Sequence, residues 1–205
     1  MKKSWRRRAA VLPRLGGLVL VLGLTLTLVT WAQPPPPANG NLIRDANEVI
    51  EEINLALTQT LFAWTQINLG GGGDARDLIH EVINIIEGPD GDNFDPQYGR
   101  PSGGQGEGAL PAAARLLGGI RQIESMPGSS DYVIAGENIV QFLGLAVERA
   151  LIALNELEGN LERASEELKL MQGLMMAARG SVEEKDRPTE GGARTIKAWL
   201  EDSNN

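Results

Sequence analysis

DYVIAGENIVQFLGLAVERALIALNELEGNLERASEELKLMQGLMMAARG, residues 131–180, decides the fold. Ile139, Leu143, Ala146, Ala150, Leu154 and Leu157 recur at steps of three and four, the period of one helix face. After Gly159-Asn160 the same period resumes through Leu161, Ala164, Leu168, Met171, Met175 and Ala178. Asn160 is suited to cap the second helix. A break this short between two long helices predicts an antiparallel hairpin.

Working outward, the flanking sequence repeats the pattern. From Leu42 to Leu69, Ile43, Ala46, Ile50, Ile53, Leu57, Leu61 and Trp64 form an apolar stripe, while Asp45, Glu48, Glu51 and Glu52 fall off it. Gly70–Gly73 ends this helix, and Asp74 is placed to cap the next, which runs to about Glu87 with Ala75, Leu78, Ile79, Val82 and Ile86 inward. Pro111 suits the first turn of a shorter helix from Leu110 to about Ile123, facing the core with Leu116, Leu117, Ile120 and Ile123. Ser129 or Ser130 is read as the cap of the 131–158 helix. Arg194–Glu201 can form a short last helix after a charged, glycine-rich stretch. The fold class is therefore all-α: an up-down bundle of about three long and two shorter helices over residues 42–180, followed by a charged tail, 181–205. Aromatics make up only 4% of the chain, which also favours aliphatic helix packing over a sheet sandwich.

The first forty residues read as an address. MKKSWRRR is basic, Leu15–Trp31 is an uncharged apolar run, and Thr30-Trp31-Ala32 puts small residues at the −3 and −1 positions of a cleavage site. Residues 1–32 are a signal peptide, with the mature chain expected to begin at Gln33, or an uncleaved signal-anchor. Either reading leaves the basic end in the cytoplasm and the rest outside it, secreted, periplasmic, on the cell surface or membrane-tethered. Residues 33–41, with Pro34–Pro37, form a proline-rich linker, and Asn39-Gly40-Asn41 reads as a turn and the start of the first helix.

Composition excludes several functions. The chain has no cysteine, which removes disulfides, thiolate zinc sites and thiol catalysis. Its formal charge is −8, but residues 1–32 carry six bases and no acid. Beyond them 13 bases (19 less 6) stand against 27 acids, so the exported part is near −14. Such a surface repels phosphate backbones, and nucleic-acid binding is not expected. No nucleophile elbow, phosphate loop or dinucleotide fingerprint is present. His80 is the one histidine, too few for the usual catalytic zinc site.

Two stretches are candidates for a site. Asp77, His80, Asn84 and Glu87 lie at i, i+3, i+7 and i+10 on one side of a helix. A solvated polar face is the plainest reading; a polar network to a facing helix and a metal or small-ligand site are the alternatives. The loop 88–108, with seven glycines and three prolines, contains Asp90, Asp92, Asn93 and Asp95, which are calcium candidates although the spacing departs from an EF-hand. The loop is otherwise expected to be an open connector and the first place a protease cuts. Met171, Met175 and Met176 are read as packing and not as transition-metal ligands.

ARDLIHEVINIIEG, residues 75–88, resembles a motif of uncharacterised exported bacterial helical-bundle proteins. There a helix carries two histidines three apart, then Asn, then Glu-Gly; His80, Asn84, Glu87 and Gly88 match, and Asp77 stands in the first histidine's place. Gly106, Gly108 and Leu110 fit the later entry into a helix. The resemblance implies a fold and an address, and no activity. The expected function is a non-catalytic, extracytoplasmic structural or interaction module for a protein or small-ligand partner, touching membrane only through residues 15–31 if these are retained. The rivals are a metal- or ligand-binding bundle and a carboxylate enzyme.

Overall fold

The computed structural model describes residues 38–99, 106–123, 126, 128–181, 183 and 187–203. Among these all regular structure is helical: α1 (Ala38–Asn68), α2 (Gly72–Glu87), α3 (Ala109–Gln122), α4 (Ser129–Glu156), α5 (Leu161–Arg179) and α6 (Ala193–Asp202), with a 3-10 turn at Pro188–Glu190. The export segment 1–32, Pro34–Pro37 and Glu184 lie outside the described residues. No described helix is long and apolar enough to cross a membrane.

The 131–180 stretch folds as its period requires. All six stripe residues of α4 are buried, and α5 buries Ala164, Leu168, Met171, Met175 and Ala178 against them. Asn160 caps α5, its side chain accepting from the Arg163 N–H at 3.0 Å. Two charged contacts tighten the hairpin: Glu167, fully buried on α5, lies 3.2 Å from Arg149 of α4 and 2.5 Å from Arg163. A buried carboxylate without cations would be strongly destabilising, so these arginines are part of the packing. Across the bundle α1 lies against α2, α3, α5 and α6. Tyr132 of α4 stacks on Trp199 at 4.1 Å and docks α6.

Three helix starts differ from expectation. Asn39-Gly40-Asn41 is helical, because Leu42 and Ala46 anchor the first turns in the core and outweigh the weak propensity of Gly40. Helix α2 starts three residues and α4 two residues earlier than read, with Gly71 and Gly128 at the cap positions, so Asp74 lies inside the first turn, where its charge suits the helix dipole.

The larger correction concerns the phase of α1. Its core side is Leu42, Ala46, Val49, Ile53, Ala56, Thr60, Ala63 and Ile67, while Leu57 is only half-buried and Leu61 is 50% exposed. The stripe read from large residues is rotated toward solvent. Ala46, Ala56 and Ala63 let neighbouring helices approach closely, and Thr60 closes its hydroxyl on the Ala56 carbonyl at 2.8 Å. Small side chains carry a weak hydropathy signal and yet are the fully buried ones here. The leucines left over line a surface groove.

Candidate functional site

The polar stripe of α2 is not a solvated face. Asn84 is fully buried, between Ile83 and Ile85, and its amide is fully used. Its Nδ2 donates to the Asp95 carbonyl at 2.7 Å and the Gly99 carbonyl at 2.8 Å, and its Oδ1 accepts from the Asp95 N–H at 2.9 Å. One turn on, Glu87 accepts from the Asn93 backbone N–H at 2.7 Å and its side-chain amide at 2.8 Å. The stripe holds the chain that follows it. This is a polar network, as one reading of the sequence allowed, but its partner is a loop backbone and not a facing helix.

The loop therefore departs from an open connector over residues 88–99. Successive turns close from Gly91 N–H to the Gly88 carbonyl, Phe94 N–H to Gly91 and Tyr98 N–H to Asp95. Asp95 bends the chain further by accepting from the Gln97 N–H at 2.9 Å. Gly91 passes directly over Glu87, where any Cβ would collide with the carboxylate side chain. The two ends meet: Gly88 (φ 74°) and Gly108 (φ 116°) touch so closely that a Cβ on either would strike the other strand's backbone. Both the contact and the positive φ require glycine.

The far end of the loop is held from α1. Glu52, buried, accepts from the Gly106 N–H at 3.1 Å, and Glu48 accepts from the Glu107 N–H at 3.3 Å. Arg115 of α3 joins Glu48 at 2.7 Å, Asp45 at 3.7 Å and Glu107. Asp45, Glu48 and Glu52 fall at i, i+3 and i+7, a period that the sequence displays and that hydropathy alone assigned to solvent. These residues, with Tyr98, are the members of the site that sequence reasoning missed.

His80 lies under the loop. The Tyr98 ring stacks on it at 4.1 Å with the planes 2° apart. Burial pulls its pKa below the ordinary 6.5; Asp95 and Asp77 push the other way, and Arg76 adds to the fall. Its Nδ1 is buried and meets no hydrogen-bond partner. Beside it, burial and then Asp77 raise the Glu81 pKa.

The remaining candidates disperse. Asp77, Asp90 and Asp92 are exposed, Asn93 is spent on Glu87, and Asp95 is spent on Gln97. Among the described residues no three acidic or histidine side chains gather where they could hold one ion. The two buried carboxylates of α1, Asp45 and Glu52, are two turns apart, about 10 Å along the helix. Glu52 is engaged with the loop backbone. This arrangement orients a loop. No known family model, curated protein or solved structure matches the chain.

Proposed function

We propose that this chain is a non-catalytic, extracytoplasmic helical-bundle protein, an interaction module that presents its 88–108 loop to a protein partner. The supporting observation is the fully spent amide of Asn84, a buried polar side chain whose three hydrogen bonds all go to loop backbone. Burying an amide is costly unless its bonds are made, so its presence in an otherwise aliphatic segment is best understood through the loop it shapes. That loop leaves Asp90, Asp92, Pro96 and Gln97 exposed. Conformation held in advance lowers the entropy lost on binding. The extracytoplasmic address rests on the basic and apolar pattern of residues 1–32.

Because the chain has no cysteine, Asp92→Cys creates a single thiol. A thiol-linked photo-crosslinker there, in cells making the full chain, is expected to give one discrete adduct that is absent when the thiol is placed at exposed Glu148 on α4. No adduct, or the same adducts from both positions, would refute loop presentation. A metal-binding reading has one observation in its favour, the unpartnered Nδ1 of His80 near Asp95. A zinc- or calcium-dependent rise in Tm that vanishes in His80→Gln would put that reading first.

A further inference from the structure

On the other side of the molecule α1 turns outward the side chains that its alanine-rich face excludes from the core. Two clefts run along this face. One, of about 290 Å³, lies between α1 and α6 and includes Ile50, Arg194 and Lys197. The other, of about 440 Å³, lies between α1 and α5 and includes Leu57, Leu61, Phe62, Met176 and Arg179. Leu61, Phe62 and Met176 are each about half exposed (50%, 51% and 49%), so the second cleft has an apolar floor open to water.

Arg194 lines the first cleft and Arg179 the second, and their setting is unusual. Every other arginine among the described residues lies within 4 Å of a carboxylate; these two do not. Arg179 gives one N–H to Asn54 at 2.9 Å, while its Nε is buried and meets no acceptor. Arg194 is close enough to draw down the Arg179 pKa, second to burial. It also occupies the first turn of α6, the helix end where a cation is disfavoured. The fold forces the two together. Gly180, after α5, and Gly192, before α6, are in backbone contact, with Gly180 at φ 68°, and the Thr195 hydroxyl donates to the Ser181 carbonyl at 2.9 Å. In a domain with twice as many acids as bases, two neighbouring guanidinium groups with no carboxylate within 4 Å stand out; Glu201, which lines the same cleft as Arg194, is held by Lys197 at 2.6 Å.

We infer that the Arg179–Arg194 pair and the adjoining Leu57–Phe62–Met176 cleft form a binding site for a single-chain amphiphilic carboxylate, a fatty acid. The guanidinium groups take the carboxylate by charge-assisted hydrogen bonds. The tail follows α1 from Asn54 to Phe62, a rise of about 12 Å, over the apolar floor. A cleft of this volume is within the range of small-molecule sites. Charge selects the ligand class: one carboxylate matches the arginine pair, whereas an acidic peptide or an anionic bilayer would bring many charges against a domain near −14.

The test is calorimetric titration of the full chain with monomeric dodecanoate, dodecanol and butyrate. Dodecanoate is expected to bind saturably at one site. Dodecanol, which lacks the charge, and butyrate, which lacks the tail, are expected to bind at least about tenfold more weakly, as loss of one charge-assisted bond or most of the buried tail implies. Arg179→Gln with Arg194→Gln should weaken dodecanoate about tenfold and leave dodecanol unchanged. Leu61→Ser with Phe62→Ser, both exposed positions that leave the core intact, should weaken both. Absence of saturable dodecanoate binding, or equal binding by both double variants and the unaltered chain, overturns the proposal. Butyrate binding as tightly as dodecanoate reduces the site to a simple anion site and overturns it as well. So does a preference for an acidic helical peptide over dodecanoate at the same residues.

Discussion

Helices α5 and α2 both carry a polar side next to a regular apolar stripe, yet the two polar sides have opposite fates. On α5, exposed Glu162, Glu166 and Lys169 face water, and Glu167, which does not, is matched by Arg149 and Arg163. On α2, Asn84 is sealed inside and Glu87 is half-covered. What differs is the chain that follows. Helix α5 ends at Gly180, and α6, which carries its own backbone hydrogen bonds, begins within a few turns of chain. Helix α2 is followed over residues 88–99 by turns, whose N–H and C=O groups have no regular ladder to join. Backbone groups that become buried must find partners, and the nearest supply is the polar side of the preceding helix. A polar stripe before a long loop is therefore better read as an anchor than as a solvated face.

The comparison is broken most directly by removing packing from one region and hydrogen bonds from the other. Leu168→Ala, in the α4–α5 seam, is expected to cost about 2–5 kcal/mol of global stability, measured by denaturant melts. Leu57→Ala, the same chemical change on the groove side of α1, should cost no more than about half as much, since its side chain is only partly removed from water. Equal losses at the two positions would restore the stripe read from hydropathy and contradict the rotated phase of α1.

That pair also marks what could be read beforehand. The hairpin was legible because large aliphatic residues kept helical time through Gly159-Asn160, and Asn160 is a strong capping residue. The phase of α1 was not, because Ala46, Ala56 and Ala63 are fully buried and contribute little hydropathy. Around the site, the alignment of His80, Asn84 and Glu87 was visible as spacing. Their use was not, since it depends on which loop carbonyls come within reach, and nothing local to residues 84 or 87 encodes the return of Asp95 and Gly99. The Gly88–Gly108 contact and the Tyr98 stack are equally long-range. The Arg179–Arg194 pair comes from a similar glycine contact at the other end of the chain.

Asn84→Ala sharpens the contrast between the two regions. It leaves the Asp95 N–H and the Asp95 and Gly99 carbonyls without their partner, which should cost about 1–3 kcal/mol. The signature is regional: limited proteolysis should cut within 88–108 earlier than in the unaltered chain, while the α4–α5 hairpin keeps its protection. Leu168→Ala should instead raise cutting everywhere, because it lowers the global unfolding free energy. An Asn84→Ala protein whose loop is cut no faster would show that the turns and the Gly88–Gly108 contact suffice, and would remove the observation on which loop presentation rests.

The smallest expected effect lies at His80, and it separates the two regions by pH. Its folded pKa is depressed below the ordinary 6.5, with burial the largest cause, so between the two values the unfolded chain binds more protons than the folded one. Stability then rises with pH through that window, and it falls as the solution is acidified below about 6.5. Asp95 and Asp77 oppose the depression and Arg76 adds to it, so the slope is shallow. Glu81 contributes with the opposite sign: its raised folded pKa makes the folded chain bind more protons just above 4.5, which favours folding on acidification. Because Glu81 is common to both proteins, subtracting the melts of His80→Gln from those of the unaltered chain between pH 5 and 8 isolates the histidine. The difference should show the unaltered chain losing more stability on acidification, and Tyr98→Ala, which uncovers the ring, should shrink that difference. Identical pH profiles for His80→Gln and the unaltered chain would mean that the Tyr98 ring does not keep water from the imidazole, and that the loop lies less closely on α2 than its hydrogen bonds require.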